Sequence, residues 1–132
     1  MTEPIIRVEH LTRKFGDFVA VDDISFSVQP GEIVGYLGPN GCGKTTTIRM
    51  ILDILRPDSG SIEVLGGAMD EAKKNRIGYL PEERGLYRNL KVLDCMVYLA
   101  TLKGLERNEA RKRASAYLER VELGHVEKKK VS

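Results

Sequence analysis

The chain has 132 residues, enough for one domain and too few for two ordinary ones. It is 42% hydrophobic, 30% charged and 6% aromatic, a globular composition, and 21 Lys and Arg against 19 Asp and Glu leave a net charge of +2. That balance gives no bulk electrostatic basis for binding nucleic acid, and no apolar run approaches the roughly 20 residues that cross a bilayer. Met1-Thr2-Glu3-Pro4 has neither the basic stretch nor the apolar core of a secretory signal. Cys42 and Cys95 alone cannot build a disulfide framework and suit a reducing compartment.

Residues 4–28 read as β-structure. Ile5, Ile6, Val8 and Leu11 begin one strand, Phe15-Gly16-Asp17 marks a turn, and Val19, Val21, Ile24, Phe26 and Val28 resume extended character. Pro30-Gly31 ends that segment. Glu32-Ile33-Val34-Gly35-Tyr36-Leu37 is a short, mostly apolar run, as expected of a parallel strand buried on both faces. A glycine-rich loop, 38–43, leads into a helix with Ile48, Ile51, Leu52 and Leu55 on one face, which Pro57 should end. Residues 61–65 predict a short strand, 70–75 one polar helical turn, and 77–80 a further strand stopped by Pro81. Beyond it the pattern is helical. Val92, Leu93, Met96, Val97 and Ala100 share one face, ended by Gly104; Ala110, Ala114, Tyr117, Leu118 and Val121 share the next, ended by Gly124. There is no internal repeat or low-complexity segment, and Lys128-Lys129-Lys130 reads as a solvated terminus.

Gly38-Pro39-Asn40-Gly41-Cys42-Gly43-Lys44-Thr45 fits G-x-x-x-x-G-K-[ST] at every fixed position. A triphosphate needs many donors converging on a concave surface, and consecutive backbone N–H groups supply them. Gly38, Gly41 and Gly43 let the backbone turn sharply and approach the anion. The following helix points its positive end at the phosphates, and Lys44 reaches the β- and γ-phosphates as a mobile charge. Thr45 offers a hydroxyl to Mg²⁺, and Thr46 completes the phosphate-binding set. Cys42 is read as contributing its backbone N–H, with an incidental side chain; the competing reading is a thiol activated by the helix dipole. Taken alone, the loop allows kinases, GTPases, helicases and transport ATPases.

The flanking segments narrow the choice. Leu11-Thr12-Arg13-Lys14-Phe15-Gly16, Ala20-Val21-Asp22-Asp23-Ile24-Ser25-Phe26, Gly31-Glu32-Ile33 and Leu55-Arg56-Pro57-Asp58-Ser59-Gly60-Ser61-Ile62 resemble the N-terminal part of ABC-transporter ATP-binding subunits. Gly78-Tyr79-Leu80-Pro81-Glu82-Glu83-Arg84-Gly85-Leu86-Tyr87 is similar to that family's Q-loop region, in a wording that most resembles the branch with sodium and drug efflux ATPases.

The resemblance implies an α/β P-loop NTPase fold of ABC type: an N-terminal antiparallel β-subdomain (mainly 1–31), a phosphate-loop core (32–80), and the Q-loop region with the start of a helical subdomain (81–132). It implies ATP and Mg²⁺ as ligands, with Phe15 stacking on adenine and Val21 packing nearby. Glu82 stands where the family usually carries glutamine. A carboxylate there is a competent Mg²⁺ ligand beside Thr45 and a weak base near the attacking water; the alternative is a solvated loop acid.

The family's Leu-Ser-Gly-Gly-Gln signature and the Asp-Glu pair that follows an apolar strand are not in this sequence, and neither His10 nor His125 matches its switch histidine. Phe18-Val19-Ala20-Val21-Asp22-Asp23 mimics the acidic motif but precedes the phosphate loop. The expectation is therefore the N-terminal part of one ATP-binding domain, inactive in hydrolysis by itself. In the complete protein it would pair with a second ATP-binding subunit and a transmembrane permease, on the inner face of the plasma membrane. A soluble ABC-like ATPase or nucleotide sensor, or a small P-loop kinase, remain the other classes.

Overall fold

The computed structural model describes residues 2–82 and 86–131. The chain divides into two compact units, Met1–Gly78 and Tyr79–Ser132.

In the first unit, β1 (Ile6–Phe15), β2 (Phe18–Val28) and β3 (Ser59–Val64) form an antiparallel sheet in the order β2-β1-β3. Phe15 pairs with Phe18 across a tight turn in which Gly16 takes φ +59°, as the sequence leads one to expect. The strands are not regular. Val8 and Leu11 are both fully buried, yet an odd spacing puts two residues on opposite faces of a straight strand. Register shifts between Val8 and Leu11 on β1 resolve the conflict, because an extra residue resets the alternation. His10 (φ +50°) takes the left-handed conformation there, and Asp23 (φ +47°) does so opposite it on β2. Local hydrogen bonds hold both. His10 N–H donates to Ser25 Oγ (2.8 Å), Asp23 N–H donates to Thr12 Oγ1 (3.0 Å), and His10 Nδ1 lies 2.8 Å from Asp23 Oδ1.

Val8, Leu11, Val21 and Met50 make the core of this unit, with Ile6, Ile24, Phe26, Ile51, Leu55 and Ile62 packed around them. Helix α1 (Lys44–Ile51) supplies Met50, and its buried face is rotated from the one expected. Thr47 and Met50 are buried, whereas Ile48 faces outward. The helix also ends before Pro57 can act. Asp53 takes φ +58°, its N–H donates to Met50 O (3.1 Å) and Ile54 N–H donates to Arg49 O (2.9 Å), a Schellman closure with an acid at the usual glycine position. Residues 71–74 form the short helix α2 (Glu71–Lys74), capped by Asp70 Oδ1 accepting from Lys73 N–H (2.8 Å).

Two expected strands, 32–37 and 77–80, have no ladder partner among the described residues. A strand buried on both faces exists only between neighbours. The sheet ends at β2 on one side and β3 on the other without taking up either run, and Ile33 is 99%, Leu37 92% and Leu80 92% exposed.

The second unit is a helix pair, α3 (Val92–Leu102) and α4 (Arg107–Arg120). Val97 on α3 packs with Ala110 and Ala114 on α4, and Leu93, Met96, Ala100 and Leu105 surround them. Cys95 is buried as well. Tyr117 and Val121, expected on the inner face of α4, lie outside. The buried row is Ala110, Ala114 and Leu118, a single i, i+4 ridge whose alanines allow close approach to α3. Gly104 ends α3 at φ +91° as expected. At the other end, α4 stops at Arg120 rather than Gly124, because Glu122 (φ +61°) donates its N–H to Glu119 O (3.0 Å) while Leu123 N–H donates to Leu118 O (2.7 Å). The lysine run is not free chain. Lys130 bridges to Lys91, and Val92 N–H donates to Lys129 O (2.9 Å).

Glu106 caps α4, its Oε2 accepting from the N–H groups of Asn108 (2.9 Å) and Glu109 (3.0 Å). Those bonds, Asn108 first, hold its carboxyl below the ordinary glutamate value. With a lowered folded value, the cap is present above the ordinary carboxylate range and is lost as pH falls through the lowered value. A carbon-13 titration of the Glu106 carboxyl should therefore show a midpoint below that of an unstructured glutamate; an equal or higher midpoint would contradict the cap.

Candidate nucleotide-binding site

Residues 38–43 run directly into α1, with Gly43 as the residue before its first turn. Gly43 has φ +93°, and a Cβ there would lie 2.2 Å from Ala20 O and 3.1 Å from Val21 Cγ2. The loop thus rests on the β2 backbone with no room for any side chain. Gly41 has φ +81° with open space around it, so its requirement is conformational alone. A Cβ on Gly38 would meet Cys42 Sγ at 2.5 Å. The cysteine closes the loop through its backbone, N–H to Pro39 O at 3.3 Å, and its thiol is exposed.

Helix α1 differs from α2 and α4 at its start. It has no side-chain cap and no acidic residue in its first turn. Thr47 N–H is bonded to Gly43 O (2.9 Å), so the N–H groups of Lys44, Thr45 and Thr46 precede the first residue with an intrahelical acceptor. These donors, with the helix dipole behind them, suit an anion. Lys44 Nζ folds back onto Gly38 O (2.5 Å) and Pro39 O (2.8 Å), with Cys42 Sγ at 3.7 Å. Its ammonium is thereby held over the loop rather than out in solvent. Thr45 is exposed and Thr46 half-buried.

Thr47 was not legible as part of the site. It is the buried polar residue of α1, donating from Oγ1 to Gly43 O (2.9 Å) and accepting from Tyr36 OH (3.3 Å). This pair ties the run entering the loop to the helix leaving it. The sequence signal is a threonine at helical spacing with Met50, on a face expected to be apolar.

Phe15 ends β1 and is half-exposed beside Phe18. The Arg13 guanidinium covers one side of its ring, 4.8 Å from the centroid. Val21 is 4% exposed and lies in the core beneath Gly43, a support for the loop from below. Glu82 is exposed, and the following Glu83, Arg84 and Gly85 of the expected Q-loop lie outside the described residues. Among the described residues no group of three or more His, Cys, Asp or Glu is arranged to hold a metal ion. A Mg²⁺ carried on phosphates needs few protein oxygens, and the exposed Thr45 on an uncapped first turn fits that chemistry.

The ABC transporter family matches residues 21–132. The chain belongs to this family, as an ATP-binding domain. It is 47% identical over 127 residues to the uncharacterized ABC transporter ATP-binding protein YhaQ of Bacillus subtilis, covering 96% of this chain and 43% of that protein. It is 39% identical to the bacitracin transport ATP-binding protein BcrA of Bacillus licheniformis (96% and 42%) and 36% identical to the Fe(3+) ions import ATP-binding protein FbpC of Brucella suis (90% and 34%). The chain spans less than half the length of these curated relatives. Among solved structures it resembles cbiO1 of Clostridium perfringens, part of the ABC transporter complex cbiONQ, with a TM-score of 0.77 and 28% identity over 97% of this chain and 54% of that one. The fold is accordingly part of a P-loop ABC domain, a small antiparallel sheet with helices.

Proposed function

We propose that this chain binds ATP in the motor subunit of an ABC transporter, with phosphates on Gly38, Pro39, Asn40, Gly41, Cys42, Gly43, Lys44, Thr45 and Thr46. The observation that carries this reading is the uncapped start of α1, framed by a loop that admits no side chain at Gly43 and held under the Lys44 ammonium. Lys44 keeps one contact with the loop and turns the rest of its donors to the phosphates. Thr45 would hold Mg²⁺, which would neutralise charge on the phosphates, and Glu82 is the residue assigned as its further oxygen ligand. Phe15 stacks on adenine with the face that Arg13 leaves open, and Val21 holds the loop beneath.

In the intact protein this domain hydrolyses ATP together with a second ATP-binding subunit and drives a transmembrane permease. It works from the cytoplasmic face of the plasma membrane, and no helix of the described residues is long and apolar enough to cross a bilayer. After the phosphate loop these 132 residues carry no run of four apolar residues followed by Asp-Glu, and hydrolysis is assigned to the larger assembly. An export direction is supported by the wording of residues 78–87, while the matched relatives carry names of both kinds. The division into 1–31, 32–80 and 81–132 belongs to the same proposal.

Glu82 gives the test. In the intact protein, Glu82→Gln should keep substantial ATPase activity, because the oxygen ligand survives, while Glu82→Ala should lose most of it. Equal rates would return Glu82 to the role of a solvated loop acid, and an intact protein that releases no phosphate from Mg-ATP would contradict the motor itself.

A further inference from the structure

The end of β1 is tied to the turn after α1 by a side-chain clasp. Asp58, in the turn after α1, engages three successive residues of β1. Its N–H donates to Thr12 O (2.9 Å), its Oδ1 accepts from Arg13 Nη1 (3.1 Å), and its Oδ2 accepts from Lys14 N–H (2.7 Å). Arg13 Nη1 also donates to Arg56 O (3.0 Å), so the guanidinium is pinned to the turn from two directions. From that position it lies 4.8 Å from the centre of the Phe15 ring. Among the described residues the buried Arg13 Nε has no hydrogen-bond partner, so the side chain is held through Nη1 alone.

We infer that Arg13, held by Asp58, is a positioning residue for the adenine-stacking aromatic. The inference rests on the reading of Phe15 given above. Phe15 sits at a hairpin end and is half-exposed, so its ring has little else to fix it. The guanidinium occupies one face and leaves one face for a base, which lowers the ordering cost of stacking. The anchor is the turn that follows α1, the helix whose other end receives the phosphate loop. Arg13 and Asp58 therefore set the platform for the base relative to the donors for the phosphates. Nothing in this clasp touches the phosphates.

The test compares ATP with inorganic tripolyphosphate, which lacks the base, in calorimetric titrations of the intact protein. Arg13→Ala and Asp58→Asn should each weaken ATP binding about fivefold and leave tripolyphosphate affinity unchanged. Phe15→Ala should do the same more strongly. Tripolyphosphate binding also reports that each variant is folded. If Phe15→Ala lowers ATP affinity while Arg13→Ala and Asp58→Asn do not, the positioning role is wrong and the stacking stands. If Phe15→Ala changes nothing, the stacking reading fails and the clasp has no base to serve. Equal loss of both ligands in the Arg13 and Asp58 variants would make the clasp a general support of the fold and overturn the inference.

Discussion

Gly43→Ala should nearly abolish nucleotide binding, by about two orders of magnitude or 2.7 kcal/mol. Two costs act at one atom. The backbone at φ +93° is a conformation that L side chains rarely adopt, worth about 1–3 kcal/mol. The new Cβ would also lie 2.2 Å from Ala20 O, a backbone atom of β2 that cannot turn aside. Relief requires the loop to lift from β2, which moves the uncapped first turn of α1 away from the position in which its donors converge. Gly41→Ala is the control. It has the same left-handed requirement at φ +81° but meets nothing within 4 Å, so it should cost only the conformational part. Measured side by side, equal effects at the two glycines would show that contact with β2 does not matter.

Lys44→Ala should weaken Mg-ATP binding at least tenfold. A hydrogen bond to a charged group contributes about 1.5–3 kcal/mol, and Lys44 supplies the one cation that contacts the loop among the described residues. Its present contacts, 2.5 and 2.8 Å to the Gly38 and Pro39 carbonyls, show that the side chain is already drawn over the loop. Little reorganisation is needed to meet a phosphate. The substitution leaves those two carbonyls exposed to water, where they remain solvated, so loss of affinity should exceed any loss of stability.

The hairpin, β3, the glycine-rich loop and the two later helices were legible because each has a local cause: alternation, turn chemistry or a 3.6-residue stripe. Errors arose where the cause is not local. The odd spacing of Val8 and Leu11 is absorbed by a bulge whose left-handed residues, His10 and Asp23, are not glycines and give no turn signal. Helix ends at Asp53 and Glu122 were missed for the same reason, since acids took the Schellman position where glycine is expected. Residues 32–37 and 77–80 have strand character in sequence, but a ladder is a property of neighbours, and neither run pairs with the three-stranded sheet among the described residues. In the site, the loop could be read from spacing alone. Thr47, Tyr36, Arg13 and Asp58 could not, because each acts through a side-chain contact outside its own element.

The central claim is that residues 38–46 hold a nucleotide by its phosphates, and a pair of calorimetric titrations tests it most directly. Mg-ATP is titrated into the intact protein and into its Lys44→Ala variant under one set of salt and pH conditions. The account predicts saturable binding to the first and an affinity at least tenfold lower in the second. Unchanged affinity on removing the Lys44 ammonium would contradict it.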